Sequence, residues 1–222
     1  MCGRYALAKT LDDMAEDFGA VISDSGLWDW SPNYNISPGA VVPVMAFNGR
    51  RARKIVPMRW GLHPSWKKTP PEGRPLFNAR VKTAAEKPSF RTPMRRRRAL
   101  IPATHFYEWE RLDGNKIPYV ITEEDTELFC FAGLWDHWLV DEGISLLSFT
   151  ILTTAATGDV KHLHHRMPVR LPVYLWDDWL NWDKKPDRIL QKMLSGDDLD
   201  YWQVGSEVNS GRASGEELLR AV

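Results

Sequence analysis

The sequence predicts an α+β fold, with a curled mixed or antiparallel, barrel-like β-sheet core and short helices at its periphery. Two features carry that expectation. Short runs rich in β-branched and aromatic residues recur along the chain between Gly, Pro, Asn and Asp, and helix-period segments are few and brief. At 222 residues and 43% hydrophobic composition, one core accommodates residues 1–222 as a single domain, and two would be cramped.

Taken in order, Thr10 to Phe18 reads as a helix: Thr10 can cap its start, acids fill the first turns and Gly19 stops it. The segment from Ser31 to Gly39 reads as irregular, because Pro32 and Pro38 interrupt it. Strands are expected near Val41–Phe47, Arg53–Trp60, Ala99–Ala103, Pro118–Thr122, Glu127–Leu134, Ser145–Thr154 and Pro168–Pro172. Arg80 to Lys87 can form a short helix before Pro88. Val173–Trp182 and Pro186–Leu194 read as late helices, the second with proline near its start and the first with Trp176, Trp179 and Trp182 at helical spacing.

Lys plus Arg and Asp plus Glu both number 29, so affinity for a polyanion must come from local clustering rather than net charge. No apolar stretch approaches the roughly 20 residues that span a bilayer, and the first residues lack a signal-peptide core, so a cytoplasmic protein with no membrane partner is expected. Two cysteines are too few for a disulfide framework. Cys130 sits in the apolar run Leu128–Leu134 and reads as a buried core residue.

Cys2 is chemically different. Removal of Met1 would leave a free α-amine and a thiol on adjacent carbons, with reference pKa values of about 7.7–8.0 and about 8.5. Such a 1,2-aminothiol forms an imine with an aldehyde through nitrogen and then closes a thiazolidine through sulfur. Gly3 leaves the approach open. In isolation, Cys2 could equally be an incidental residue of a loose terminus.

Further segments bear on it: Met1-Cys2-Gly3-Arg4-Tyr5, Tyr34–Gly39, Trp60–Trp66, Asn78-Ala79-Arg80, Phe106-Tyr107-Glu108-Trp109 and Leu163–Pro168. In this order, and with Val208-Asn209-Ser210 and Gly215–Leu218 near the end, they resemble the SRAP family, the SOS-response-associated peptidases, which shield abasic DNA by covalent attachment. The resemblance covers nearly the whole chain. It implies a sensor that cross-links to abasic sites in single-stranded DNA through the amine and thiol of Cys2. No cofactor is expected, and nothing in the sequence requires a dimer, so a monomer is expected, nucleoid-associated when bound to DNA. The resemblance implies that Cys2 is the nucleophile and that Asn78 positions the amine or the sugar. Glu108 is then the acid–base group that helps open the sugar, and His164 exchanges protons with the opened form. Arg4, Arg80 and Arg166 match positions that hold the DNA backbone, and Trp66 an aromatic against which a base or sugar packs. Autopeptidase removal of Met1 and a DNA lyase step are the accompanying activities.

These roles agree with simple chemistry. An abasic sugar is mostly a closed hemiacetal, so a proton must move before the aldehyde appears, and a shielded carboxyl is a suitable donor. If Glu108 lies in a strand, its neighbours Tyr107 and Trp109 point to the other face and the shielding comes from elsewhere. Arginine contacts to phosphate and stacking on tryptophan both tolerate any base sequence, which suits a lesion sensor.

Two departures from the family pattern stand near the site: His165 where an acid is common, and Thr104-His105 where Asp-Gly is common, the latter implying a different turn. His162, His164 and His165 suggest a metal, since 162 and 164 would share one face of a strand, but no further ligand motif accompanies them and none is expected to bind. The run Arg95–Arg98 reads as a mainly solvated or salt-bridged edge rather than a nucleic-acid patch. The alternatives are a peptidase acting on other proteins, for which no metalloprotease helix or nucleophile elbow is present, and a non-covalent module for single-stranded nucleic acid.

Overall fold

The computed structural model describes residues 2–23, 28–47, 51–139, 143 and 145–222. Its first strands are β1 (Tyr5–Leu7), β2 (Val21–Ile22), β3 (Asn33–Ile36), β4 (Val41–Phe47), β5 (Arg53–Trp60) and β6 (Asn78–Arg80). There follow β7 (Arg98–Ala103), β8 (His105–Leu112), β9 (Asn115–Glu123), β10 (Phe129–Leu139), β11 (Ser145–Ala155), β12 (Arg166–Pro168) and β13 (Leu199–Gln203). The α-helices are α1 (Leu11–Phe18), α2 (Val81–Ala84), α3 (Arg91–Arg96), α4 (Trp176–Leu180) and α5 (Pro186–Leu190).

Five strands close a ring. β11 pairs with β10, β10 with β7, β7 with β4 and β4 with β5, all antiparallel. β5 then returns to β11 through the parallel pairs Arg59–Ser148 and Trp60–Phe149. The expected curled sheet is therefore a mixed five-stranded barrel, and closure satisfies backbone groups that an open edge would leave exposed. Inside it, Trp60 stacks on Phe149 with ring centroids 6.3 Å apart. A second sheet, ordered β13-β9-β8-β1-β3, sends Tyr5 and Phe106 inward against Phe131 of β10, at 5.9 and 5.8 Å. Aromatic burial thus ties the two sheets into one apolar core, which includes Cys130.

Helix α1 forms for the reasons its sequence gives. The Thr10 hydroxyl accepts from Asp13 N, the Asp13 carboxylate accepts from Thr10 N, and Gly19 ends the helix at φ 54°. Other expectations need correction. The 80–87 and 186–194 helices are only α2 and α5. The segment after Pro172 opens as a 3-10 turn, and α4 ends at Leu180, so Trp176 and Trp179 are buried while Trp182 lies beyond the helix against the Arg51 guanidinium. The strand expected at Pro168–Pro172 stops at Pro168, and the irregular 31–39 stretch holds β3 between its prolines. His162 ends a 3-10 turn, Asp159–His162, and its ring sits by Tyr201 rather than beside His164.

The arginine run divides. Arg95 and Arg96 are exposed on α3 and Arg97 pairs with Asp136, but Arg98 is 3% exposed, not an edge residue. Its guanidinium donates to the carbonyls of Trp179, Asn181 and Lys184, satisfying the chain end after α4. Thr104 and His105 also correct the expectation of an altered turn. Neither has a positive φ, and His105 pairs with Ala6 in the β8–β1 ladder, so no glycine is needed there.

Candidate functional site

The β1–β8 ladder brings the N-terminal residues to Glu108. Tyr5 pairs with Phe106, and the ladder continues as Tyr107 N donates to Arg4 O at 3.0 Å. One further step along the same register sets Cys2–Gly3 beside Glu108. Both Cys2 and Glu108 are buried, at 0% and 5% exposure. Alternation along β8 sends Tyr107 and Trp109 to the other face, where Tyr107 Oη donates to Tyr34 O and Trp109 Nε1 to Asn209 Oδ1. The shielding of Glu108 thus comes from the Cys2 side, not from its two aromatic neighbours.

Asn78 reaches the same place from the barrel. β6 runs parallel to β11, with Asn78 opposite Ile151, and Asn78 Nδ2 donates to Cys2 O at 2.7 Å. Asn78 Oδ1 and the Tyr5 hydroxyl are buried and accept or donate no hydrogen bond among the described residues. Two polar atoms left over next to a buried cysteine mark a place where another polar group is needed.

His164 follows the 3-10 turn and is half-buried. Its Nδ1 lies 3.0 Å from Arg166 N and 3.1 Å from Arg166 O. A neutral ring can accept from the first and a protonated ring donate to the second, so the nitrogen has a partner in either state. His165 stacks on it, with centroids 4.2 Å apart and planes 29° from parallel.

Arg166 donates from Nε and Nη2 to Thr153 Oγ1, at 3.2 and 2.8 Å, and Arg80 stands opposite Thr153 on β6. Among the described residues, no carboxylate forms an ion pair with Arg80, Arg111 or Arg166. Arg111 was not expected at the site; its only sequence signal is its place three residues after Glu108. Thr153 carries no signal of its own, and Tyr5 only its place at the end of the Met1–Tyr5 block.

Electrostatics separate the titratable groups. Burial raises the Glu108 carboxyl above the ordinary carboxylate range. Burial also lowers His164, and the adjacent His164 lowers exposed His165. The Cys2 thiol is pushed far up, first by burial and then by the Glu108 charge. The site therefore pairs a carboxyl shifted toward holding its proton with an imidazole shifted toward losing it.

The two remaining expected residues lie apart from that cluster. Arg4 Nη1 donates to Asn35 Oδ1 and, at 2.9 Å, to Val208 O, while its guanidinium sits 5.9 Å from the Trp109 ring. Asn35 Nδ2 in turn donates to Ser210 O and Ala213 O, so Arg4 and Asn35 fasten the C-terminal segment to β1 and β3. Trp66 is 60% exposed on the turn after β5.

Comparison with known proteins gives the family of the chain. The model of the family described as SOS response associated peptidase (SRAP) matches residues 1–211. The abasic site processing protein YoaM of Bacillus subtilis is 38% identical over 225 residues, covering 100% of this chain and 98% of the relative. The abasic site processing protein YoqW of Bacillus phage SPbeta is also 38% identical, over 227 residues and the whole of both chains. Chicken (Gallus gallus) abasic site processing protein HMCES is 31% identical, covering 86% of this chain and 66% of its own. Among solved structures, a Bacteroides thetaiotaomicron protein superposes with a TM-score of 0.85 at 24% identity over all of both chains. A phage-related protein of Bordetella bronchiseptica gives 0.75 at 26% identity, covering 97% of this chain and 100% of the other. With the family model spanning almost its full length, this chain belongs to the SOS response associated peptidase family.

Proposed function

We propose that this chain processes abasic sites in DNA, and that it captures them in single-stranded DNA as a covalent thiazolidine on Cys2. The names of its relatives support abasic-site processing. The observation that carries the covalent reading is the Asn78 Nδ2 bond to the Cys2 carbonyl, which fixes Cys2 beside the buried Glu108.

Met1, which lies outside the described residues, must leave first, because an acylated nitrogen cannot form an imine. Any peptidase activity is limited to that one bond. Glu108 then gives its proton to the ring oxygen of the abasic hemiacetal as the C1–O bond breaks, and His164 takes the proton of the C1 hydroxyl. The Cys2 amine attacks the aldehyde carbon and expels water, its two N–H protons and the carbonyl oxygen making up that molecule. The thiol sulfur next adds to the imine carbon while the thiol proton passes to nitrogen, closing the ring. A thiol held protonated by burial suits this order, with nitrogen first and sulfur second.

Incubation of mature protein with an abasic oligonucleotide tests the proposal. The expected product survives denaturing electrophoresis, has the summed mass of protein and oligonucleotide less one water, and is lost in Cys2→Ala. A complex that dissociates on denaturation would refute covalent capture and favour a non-covalent binding module.

A further inference from the structure

We propose that a recess between the end of β5 and the segment 71–76 is a second contact site on this chain, taking a backbone phosphate of the strand whose abasic nucleotide is held at Cys2. The proposal rests on the reading above. It begins with Gly61, which follows β5 at φ 126° and whose added Cβ would meet Pro75 Cβ at 2.7 Å. Only glycine permits both that backbone and that approach. The crossing is fastened by Leu62 N donating to Leu76 O at 3.1 Å. Beside it lies a recess of about 250 Å³, lined by Arg59, His63, Lys67, Glu72, Arg74 and Ser89, among others.

Its charge is unbalanced. Three permanent cations face one carboxylate, and among the described residues none of Arg59, Lys67 and Arg74 forms an ion pair. Cations gathered at a surface recess without matching carboxylates attract an anion, most strongly at low salt. His63 lies in the same lining, with both of its N–H groups held inside the protein. It is 6% exposed, its N donates to Ser148 Oγ at 2.8 Å, and its Nε2 lies 3.0 Å from Thr69 O, a contact that requires the proton on Nε2. Burial, then Lys67 and Arg59, hold this imidazole below its ordinary pKa.

Continuity assigns the anion to a nucleic-acid strand. The segment that closes the recess bridges through Leu76 and reaches Asn78, the Cys2 partner, two residues later. Exposed Trp66 stands on the same turn. Such contacts position a strand without reading its sequence, as a lesion sensor requires.

The test uses the full chain, the double variant Lys67→Glu/Arg74→Glu and an abasic oligonucleotide carrying single methylphosphonate linkages near the lesion. Both substituted side chains are exposed, and thermal unfolding checks that the variant folds. For the wild type, one neutral linkage should slow adduct formation by roughly 3–10-fold at low salt, and the variant should be insensitive to that linkage. The slope of log Kd on log salt for an intact single strand should fall by about 0.7 for one lost contact. His63, followed by NMR, should titrate at higher pH when the strand is bound. If inorganic phosphate alone raises the His63 pKa and no linkage matters, the recess is a free-anion site and the strand assignment fails. If neither strand nor phosphate moves His63 and the variant matches wild type, the recess binds no anion. Loss of the wild-type adduct itself would instead overturn the covalent reading.

Discussion

His164 and His165 stack face to face at 4.2 Å, so the imidazole proposed to move protons carries a second imidazole against it. Two such rings cannot both be protonated without repulsion, and Arg166 and Arg111 add to the positive field around His164.

Replacing that neighbour reverses the sign of its effect. His165→Asp puts an anion beside His164, which raises the His164 pKa. If neutral His164 acts as the base, the acid limb of the pH–rate profile for adduct formation moves to higher pH, and the variant is slower along that limb. Imidazole titration by NMR and the pH profile should shift together. A profile identical to wild type would remove His164 ionisation from the rate-determining step.

Glu108→Gln separates catalysis from stability. Loss of the proton donor should slow adduct formation by about 10²–10⁴-fold. Stability should move the other way. The folded carboxyl titrates above its unfolded value, so the stability it contributes is complete below about pH 4.3 and is lost as pH rises through the folded pKa. A neutral amide escapes that loss, so the variant gains relative to wild type from acid toward neutral pH. Melting curves from pH 4 to pH 8 provide the check, and a constant difference across that range would contradict a raised Glu108.

Strong local signals survive in the structure. The β-rich runs of β4 and β5 and the capping of α1 were legible because each is settled by neighbouring residues. β1, β3 and β6 were not, since three or four residues cannot display a period. The same limit hid how the site is assembled. Asn78 reaches Cys2 because β6 adds to β11, more than 70 residues onward, and no local pattern encodes that pairing. Arg98 is buried by carbonyls over 80 residues away. Motif order nominated Cys2, Asn78, Glu108 and His164 as candidates, whereas Arg4 as a fastening for the C-terminal segment required the fold.

Tyr5→Phe removes a buried hydroxyl that has no partner among the described residues. The ring packing against Trp60 at 5.2 Å and Phe131 is retained, so the variant should be more stable by about 1–3 kcal/mol. Chemical denaturation measures this directly. A lower midpoint would mean that the hydroxyl is satisfied in solution by water.

Asn78 supplies the sharpest contrast between two substitutions of one residue. Asn78→Ala deletes the bond to Cys2 O, at a stability cost of about 0.5–1.5 kcal/mol, and lets the cysteine shift. A displacement near 1 Å can cost about 10²-fold in rate, so adduct formation should fall by that order. Asn78→Asp is worse at neutral pH, because an ionised carboxylate turned toward a carbonyl oxygen repels it and is buried beside Glu108. The folded pKa of the introduced carboxyl is therefore raised, and the stability tied to its protonated form is present at low pH and lost as pH rises. Once protonated, that carboxyl can donate to Cys2 O as the asparagine amide does, so the stability deficit of the Asp variant should shrink toward pH 4 while that of the Ala variant does not. Parallel pH-dependent melting curves for the two variants would show that the Asn78 amide does not hold the cysteine in place.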